Sequence, residues 1–478
     1  MRNTTLRDIV QITGGKLVIM GAPEDKVKLL NLQEQVLLRS VNDLCIDSRR
    51  IKQGDLFIPL KGNSVDAHAY IPEVMSGAVA ALSNREISDV YNNSSAYFSG
   101  EKRHDIIIQV NNTQTALEQI GSYGRSLYGS PVIGVTGSVG KTTTRCMIAT
   151  ALRSEKAVFE TQGNLNSHIG IPLMTSRMND VNTDIAVLEM GIDRIGEMDT
   201  EVSIVRPDLA VVTNIGVSHL EHFGTQDILK REKLKVASKN TVLFLNADDA
   251  LLRGLKSHEI TSETHYFGTS PDVEYRAENI TQSEKEMHFM YCHNKKQIPV
   301  RIPVLGEHNV ICAMAALSIC DYLGMDIRKA ADALANYEPV RQVTKRTKEG
   351  AVLIDDVYNA SPDSMKAALR VLSNYPVTGR RFAVLGDMLE LGSREGELHS
   401  EVGVFFDQIC VDELVVVGQL ATIIAEHGSK ACPLMHVKVC DSLEDATDYL
   451  RDRVLPEDVV LLKASHGMSF DKILNWLL

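Results

Sequence analysis

Between residues 131 and 340 the chain alternates short apolar runs with stretches of helical spacing. The runs predict strands at Val132–Thr136, Ala157–Thr161, Ile185–Met190, Leu209–Thr213 and Val242–Asn246. Strands separated by helical stretches predict a parallel sheet covered by helices, with ligands beyond the carboxyl ends of its strands. From Val273 to Val304 the period shortens to two, which predicts antiparallel strands added to that sheet as a flap, and a helix follows from Glu307 to Leu323. The last third repeats the alternation, with strands predicted at Val352–Asp355, Phe382–Leu385, Leu414–Val417, His436–Val439 and Val459–Leu462. Helices begin near Pro362, Glu395, Gln419, Ser442 and Gly467, giving a second α/β domain of doubly wound type. Residues 1–115 read differently, as a small, mostly β domain with apolar runs at Val27–Leu38 and Leu56–Leu60 broken by turn residues. A helix over 113–128 leads out of it.

The length of 478 residues agrees with three domains. A formal charge of −12 argues against a nucleic-acid partner and against an anionic membrane surface, because both select basic faces. Residues 1–8 offer no apolar core of signal-peptide length and no run approaches membrane-spanning length, so a cytoplasmic protein is expected. The eight cysteines include no C-x-x-C pair, so a disulfide framework is not expected. Cys432, His436 and Cys440 have a metal-like spacing, but they flank a strand and read as buried thiols.

Candidate chemistry centres on Pro131-Val-Ile-Gly-Val-Thr-Gly-Ser-Val-Gly-Lys-Thr-Thr-Thr144, where an apolar run turns through glycines into a helix-compatible segment. Gly137 and Gly140 let backbone N–H groups close around phosphate oxygens, and the helix start adds its positive dipole end. In this cradle of Gly137, Ser138, Gly140, Lys141, Thr142 and Thr143, Lys141 would reach the β/γ-phosphates and the Thr142 hydroxyl would ligate Mg²⁺. Val135 stands where the general P-loop pattern has its first glycine. At the ends of the central strands lie Glu189, a hard oxygen donor suited to Mg²⁺, and His219 in a glycine-bounded loop. Lys233, in Ile228-Leu-Lys-Arg-Glu-Lys-Leu-Lys-Val236, reads on its residues alone as part of a charged, solvated helix face. In the third domain Asp356, Tyr358 and Asn359 stand at a strand end ahead of a helix capped by Ser361 with Pro362 at its first position. In the first domain Asp47, Ser48 and Arg49 form either a sugar- or diphosphate-binding turn or an ordinary polar one.

Taken together the strings resemble one family, the Mur ligases, ATP-dependent amide-forming enzymes of peptidoglycan synthesis. The matching strings are Asp47-Ser-Arg with Gly54-Asp-Leu-Phe, Thr136-Gly-Ser-Val-Gly-Lys-Thr-Thr, Gly163-Asn-Leu-Asn166 with Ile169-Gly-Ile-Pro, Glu189-Met-Gly, Thr213-Asn-Ile-Gly, Gly306-Glu-His-Asn309, Asp356-Val-Tyr-Asn-Ala-Ser-Pro and Leu385-Gly-Asp-Met-Leu-Glu-Leu-Gly. The resemblance implies an α/β protein of three domains: a small mixed α/β UDP-substrate-binding domain at 1–115, a central ATP-binding domain with a P-loop ATPase-type parallel sheet at 116–340, and a Rossmann-like, doubly wound ligase domain at 341–478. It implies ATP, two Mg²⁺ sites held by Thr142, Glu189, His219 and Lys233, and CO₂ carried as a carbamate on Lys233. Asn309, Arg341 and Asp356 match positions that hold the adenine, phosphate and ribose regions of ATP. Ser48 and Arg49 match positions near the uridine nucleotide, and Asn166, Tyr358 and Asn359 match substrate-facing positions. The implied substrates are UDP-N-acetylmuramoyl-tripeptide and D-alanyl-D-alanine, joined through an acyl phosphate, by a monomer. Another amide ligase of the same fold, such as a folylpolyglutamate synthase or a Mur ligase adding another residue to the peptide, and a catalytically silent nucleotide-binding scaffold are the alternatives. Ser167-His168 replaces the usual Asn-Glu, Ala67 replaces a glycine, and Lys463-Ala-Ser-His466 replaces a Lys-Gly-Ser-Arg string.

Overall fold

A computed structural model describes Met1 and residues 4–62, 65–91, 104–217, 220–256 and 259–478. The chain is a mixed α/β protein with three sheet-bearing domains. It divides into two compact units, one of Met1–Val132, Phe159–Met190 and Asp199–Arg206, the other of Ile133–Val158, Gly191–Met198 and Pro207–Leu478. Among the described residues no helix is long and apolar enough to cross a membrane.

The first unit contains a five-stranded sheet of β1 (Lys16–Ile19), β2 (Leu44–Cys45), β3 (Leu56–Phe57), β4 (Ala80–Ser83) and β5 (Ile106–Gln109), in the order β1-β5-β4-β3-β2. Only the β1/β5 pair is antiparallel. Its core joins Leu56, Leu82, Ile106 and Ile108 of the strands to Leu6, Ile9, Leu117 and Ile120 of helices. The apolar run expected from Val27 to Leu38 is a helix, Lys26–Leu37, because Asp25 caps it by accepting from the N–H groups of Val27 and Lys28. Its leucines, glutamines and glutamate also favour a helix over a strand. The helix expected over 113–128 forms at Thr113–Leu127.

The central strands follow the expected pattern closely: β6 (Val132–Thr136), β7 (Val158–Glu160), β8 (Ile185–Glu189), β9 (Leu209–Val212) and β10 (Val242–Asn246). In the second unit the order runs β14-β13-β12-β11-β10-β9-β6, with β11 (Thr264–Gly268), β12 (Tyr275–Gln282), β13 (Met287–His293) and β14 (Lys296–Ile302). The antiparallel flap is real, since β12, β13 and β14 pair antiparallel. The parallel strand β11 escapes the sequence pattern, because polar Thr264 and His265 interrupt its apolar run. In the first unit β8 lies beside β7.

The third sheet, in the order β15-β16-β20-β17-β18-β19, comprises β15 (Val343–Arg346), β16 (Val352–Asp356), β17 (Arg381–Gly386), β18 (Glu413–Val417), β19 (His436–Cys440) and β20 (Val459–Lys463). All are parallel except β15, whose alternating half-buried and exposed residues give no apolar run to find. Ile354, Leu385, Leu414, Val416 and Leu461 enter one core, while Leu353, Phe382, Val384, Val415 and Leu462 enter another. Because side chains alternate across a strand, continuous apolar runs bury both faces, which is what a doubly wound sheet requires. The helices expected near Gln419 and Gly467 begin at Ala421 and, after a short 3₁₀ turn at His466–Met468, at Asp471. Cys440 is buried and Cys432 half-buried.

Two helices of the first unit pack through glycine. A Cβ on Gly124 would stand 2.5 Å from the Thr175 carbonyl oxygen and 2.7 Å from Ser176 Cα, on helix Gly170–Arg177. Alanine gains ~1 kcal/mol in helix propensity. Overpacking against backbone costs about 1–3 kcal/mol, and backbone on the far side cannot rotate away. Gly124→Ala is therefore expected to lower stability in urea melts. Gly396→Ala, in helix Glu395–Val404 where the nearest neighbour is Ile423 Cδ1 at 3.8 Å, is expected to leave it unchanged or raise it.

Candidate active site

Strand β6 ends at Thr136 and the chain turns through Gly137 (φ 144°) and Gly140 (φ 82°) into the helix Lys141–Leu152. Position 137 requires glycine twice over: its φ is one that L side chains rarely adopt, and a Cβ there would collide with Thr213 Oγ1. The loop is held from one side by the strand end after β9. Asn214 Oδ1 accepts from the N–H groups of Ser138 (3.1 Å) and Val139 (2.9 Å). Its Nδ2 donates to the Val139 carbonyl at 3.0 Å, and Thr213 Oγ1 donates to the same oxygen at 2.6 Å. Ser138 Oγ in turn accepts from Gly216 N at 2.9 Å. Sequence reasoning quoted Thr213-Asn-Ile-Gly but gave Asn214 no task; its signal is an amide side chain directly past a strand end beside the cradle.

Two lysines converge on one oxygen. Lys141 Nζ donates to the carbonyls of Gly137 (2.9 Å) and Ser138 (3.2 Å), and Lys233 Nζ donates to Gly137 at 3.0 Å. Lys233 is only 1% exposed, so the solvated reading suggested by its charged neighbours is wrong. Helix Gln226–Leu234, capped by Thr225, buries Leu229, Glu232 and Lys233, which share one face at i, i+3 and i+4. That spacing was the available signal. Thr142 and Thr143 sit half-buried in the first turn of the helix after the cradle. His219 lies outside the described residues.

Glu189, at the end of β8 in the first unit, is 1% exposed. Its backbone N–H donates to Thr161 Oγ1 (2.9 Å), and its Oε1 accepts from Asn166 Nδ2 at 2.7 Å, so two of the expected site residues meet there. Ser48 and Arg49 occupy a 3₁₀ turn, Ser48–Arg50, capped by Asp47. The Arg49 side chain folds back on Asp47, with Nε and Nη2 donating at 2.9 and 2.8 Å, and these bonds hold the Asp47 carboxyl down to about 2. In the same unit a polar cavity of about 500 Å³ is lined by Lys61, Asp66, His68, Arg85, Asn112 and His168 among others. Asp66 caps the 3₁₀ turn Ala67–Tyr70, and Ala67 has no positive φ, so alanine serves where glycine was expected.

In the second unit Asn309 is buried at the start of helix Glu307–Tyr322, its Nδ2 donating to Leu305 O at 2.7 Å and to Gln342 Oε1 at 3.4 Å. At the end of β16, Asp356 Oδ2 accepts from Lys463 Nζ at 2.7 Å, and the same ammonium donates to Asn359 O at 2.9 Å. Lys463 is 2% exposed, and sequence reasoning had not placed it in the site. Arg341 lies over the Tyr358 ring, and His466 has its ring centroid 6.0 Å from that of Tyr358. Asp363 also reaches the cradle's support, since a Cβ on Gly216 would come within 2.7 Å of its Oδ2.

Comparison with known proteins follows the same layout. Residues 40–125 match the model of the Mur ligase family catalytic domain, 135–320 that of the Mur ligase middle domain, and 340–466 that of the Mur ligase glutamate ligase domain. The chain is 35% identical over 444 residues to the UDP-N-acetylmuramoyl-tripeptide–D-alanyl-D-alanine ligase of Bacillus subtilis, covering 92% of this chain and 93% of that one. The crystal structure of MurF from Acinetobacter baumannii superposes with a TM-score of 0.84 at 26% identity, covering 99% of this chain and 98% of that one. MurF ligase from Thermotoga maritima in complex with ADP gives a TM-score of 0.76 at 27% identity, over 91% of this chain and 96% of that one. With three family models in the expected order and a relative matched over nearly the whole of both chains, the chain belongs to the Mur ligase family.

Proposed function

We propose that this chain is the ATP-dependent ligase that joins D-alanyl-D-alanine to UDP-N-acetylmuramoyl-tripeptide, in the cytoplasm. The observation that carries the reading is the pair of lysines on Gly137: a cradle lysine alone suits any nucleoside-triphosphatase, whereas a second, buried lysine on the same oxygen suits this family's carbamate. The name and coverage of the Bacillus relative support the two substrates, and the ADP complex of the Thermotoga enzyme supports the nucleotide. A folylpolyglutamate synthase or a silent scaffold is not favoured by a match of this extent. We take residues 1–115, 116–340 and 341–478 as the functional domains.

In this reading the tripeptide carboxylate attacks the γ-phosphorus of ATP, forming an acyl phosphate and releasing ADP. The neutral amine of D-alanyl-D-alanine then attacks the acyl carbon, phosphate leaves and the amide forms. Lys141 leaves the loop carbonyls for the transferring phosphoryl group, and the N–H groups of the cradle offset its charge. Mg²⁺, when bound, supplies Lewis-acid neutralisation of the phosphate oxygens. Thr142, Glu189 and His219 are its proposed ligands, the hydroxyl and the carboxylate being the oxygen donors that a hard cation takes. Lys233 fits that set only as a carbamate, since its ammonium donates to a carbonyl and would repel a cation. Carbamates form only on the neutral amine, and burial favours that form. Asn309, Arg341 and Asp356 are proposed to hold the nucleotide, and Ser48, Arg49, Asn166 and Asn359 the substrates.

Phosphate release tests the whole reading: it is expected to require ATP, UDP-N-acetylmuramoyl-tripeptide and D-alanyl-D-alanine together, and release with folate substrates instead would overturn it. Lys141→Ala is expected to lower kcat by about 10²–10³-fold, the cost of removing one preorganised charge-stabilising donor, with circular dichroism unchanged. Lys233→Ala is expected to lose most activity, and formate or acetate to restore part of it by refilling the vacated oxygen positions. Lys233→Arg should resist such rescue, because the guanidinium fills the space and stays charged. Near-normal turnover of Lys233→Ala in CO₂-depleted buffer would remove the carbamate from the reading.

A further inference from the structure

We infer that Tyr358 is a positioning residue for ATP, acting through Arg341, rather than a contact to the peptide substrate. The inference rests on the proposed role of Arg341 as a nucleotide contact. Arg341 Cζ stands 3.0 Å from the centroid of the Tyr358 ring, so the guanidinium lies over the aromatic face. Among the described residues Arg341 makes no hydrogen bond and no ion pair, although it is half-buried. A guanidinium has five N–H donors, and a half-buried one that spends none of them on protein keeps them for an anion from outside. Stacking is the one way to fix such a group without using its donors.

The neighbours explain why the ring is needed. The backbone beside Arg341 is already fixed: Gln342 adopts a left-handed φ of 51°, and its Oε1 accepts from Asn309 Nδ2. The side chain of Arg341 is long, and its tip would otherwise sample many rotamers at a cost in binding entropy. Tyr358 is 46% exposed, too open for a core residue, and its position two residues past Asp356 is set by the Lys463 bonds to Asp356 and Asn359. The ring is therefore placed by a rigid turn and in turn places the cation. The phenolic oxygen has no part in this arrangement.

The test uses the full-length protein, with calorimetric titration of Mg·ADP and steady-state phosphate release. Tyr358→Leu is expected to weaken ADP binding and raise the KM for ATP about fivefold, the loss of one partly exposed cation–π contact, with the KM for D-alanyl-D-alanine within twofold of wild type. Tyr358→Phe keeps the ring and is expected to restore nucleotide affinity. Arg341→Gln should weaken nucleotide binding more, and adding Tyr358→Leu to it should change nothing further, because the tyrosine acts only through the arginine. Additive losses in the double variant, or a Tyr358→Leu effect on the KM for D-alanyl-D-alanine instead of ATP, would overturn the inference. Unchanged ADP affinity in Arg341→Gln would overturn it too, while leaving the ligase reading intact. Failure of the wild type to use the two proposed substrates would sink the ligase reading alone, since ADP titration reads the stack without them.

Discussion

The carbonyl oxygen of Gly137 is the point on which the cradle depends. It accepts from Lys141 and from Lys233, and it can do so only because residue 137 has no Cβ and tolerates a φ of 144°. Any side chain there would meet Thr213, whose hydroxyl ties Val139 and so sets the loop's depth. One missing carbon thus lets the turn after β6 lie against the end of β9. That oxygen is a neutral partner for Lys141, and incoming phosphate oxygens offer its ammonium a stronger, charge-assisted one.

The bonds that hold Ser138 and Val139 from the β9 side come from amide and hydroxyl groups. Asn214 satisfies two N–H groups and one carbonyl with a single side chain, and Ser138 closes the set by accepting from Gly216. A carboxylate at 214 could accept from the loop but could not donate to Val139, and it would place a negative charge beside the phosphates. An asparagine gives both functions and stays neutral, so the positive field at the cradle is left to Lys141 and the helix dipole.

How much was legible follows from which forces leave periodic traces. Strands buried on both faces, such as Phe382–Leu385 and Val459–Leu462, write unbroken apolar runs, and these were found within a residue or two. Helix Lys26–Leu37 reads as an apolar run because Val27 and Leu30, largely exposed, lie off the face on which Leu32 and Val36 pack inward and so blur its helical stripe. Strand β11 opens on Thr264 and His265, and β15 has Val343 as its only apolar residue, so neither writes an apolar run. Within the site, the cradle was readable because glycine and lysine at fixed spacing have few other uses. Lys233 was hidden among five charges in nine residues, and only its spacing from Leu229 separates the buried face from the wet one. Lys463, Asn214 and Gln342 left no trace of their task, since each acts through a partner distant in sequence.

Lys463 shows what such a distant partner does. Breaking a buried ion pair by removing one member costs several kcal/mol, about 3–5, yet a well-packed apolar pair in the same place would often be as stable. Stability alone therefore does not account for an ammonium that is 2% exposed at the end of β20. Its geometry does: one bond holds the Asp356 carboxylate and a second holds the Asn359 carbonyl, so the turn leaving β16 toward the helix at Pro362 is pinned from the neighbouring strand. A hydrophobic pair could fill the space but could not fix the carboxylate's direction. Lys463 and Ser465 stand as in the family's string, and His466, the departure at the string's end, sits on the exposed 3₁₀ turn beyond it. The interior of the strand end therefore carries the carboxylate's orientation.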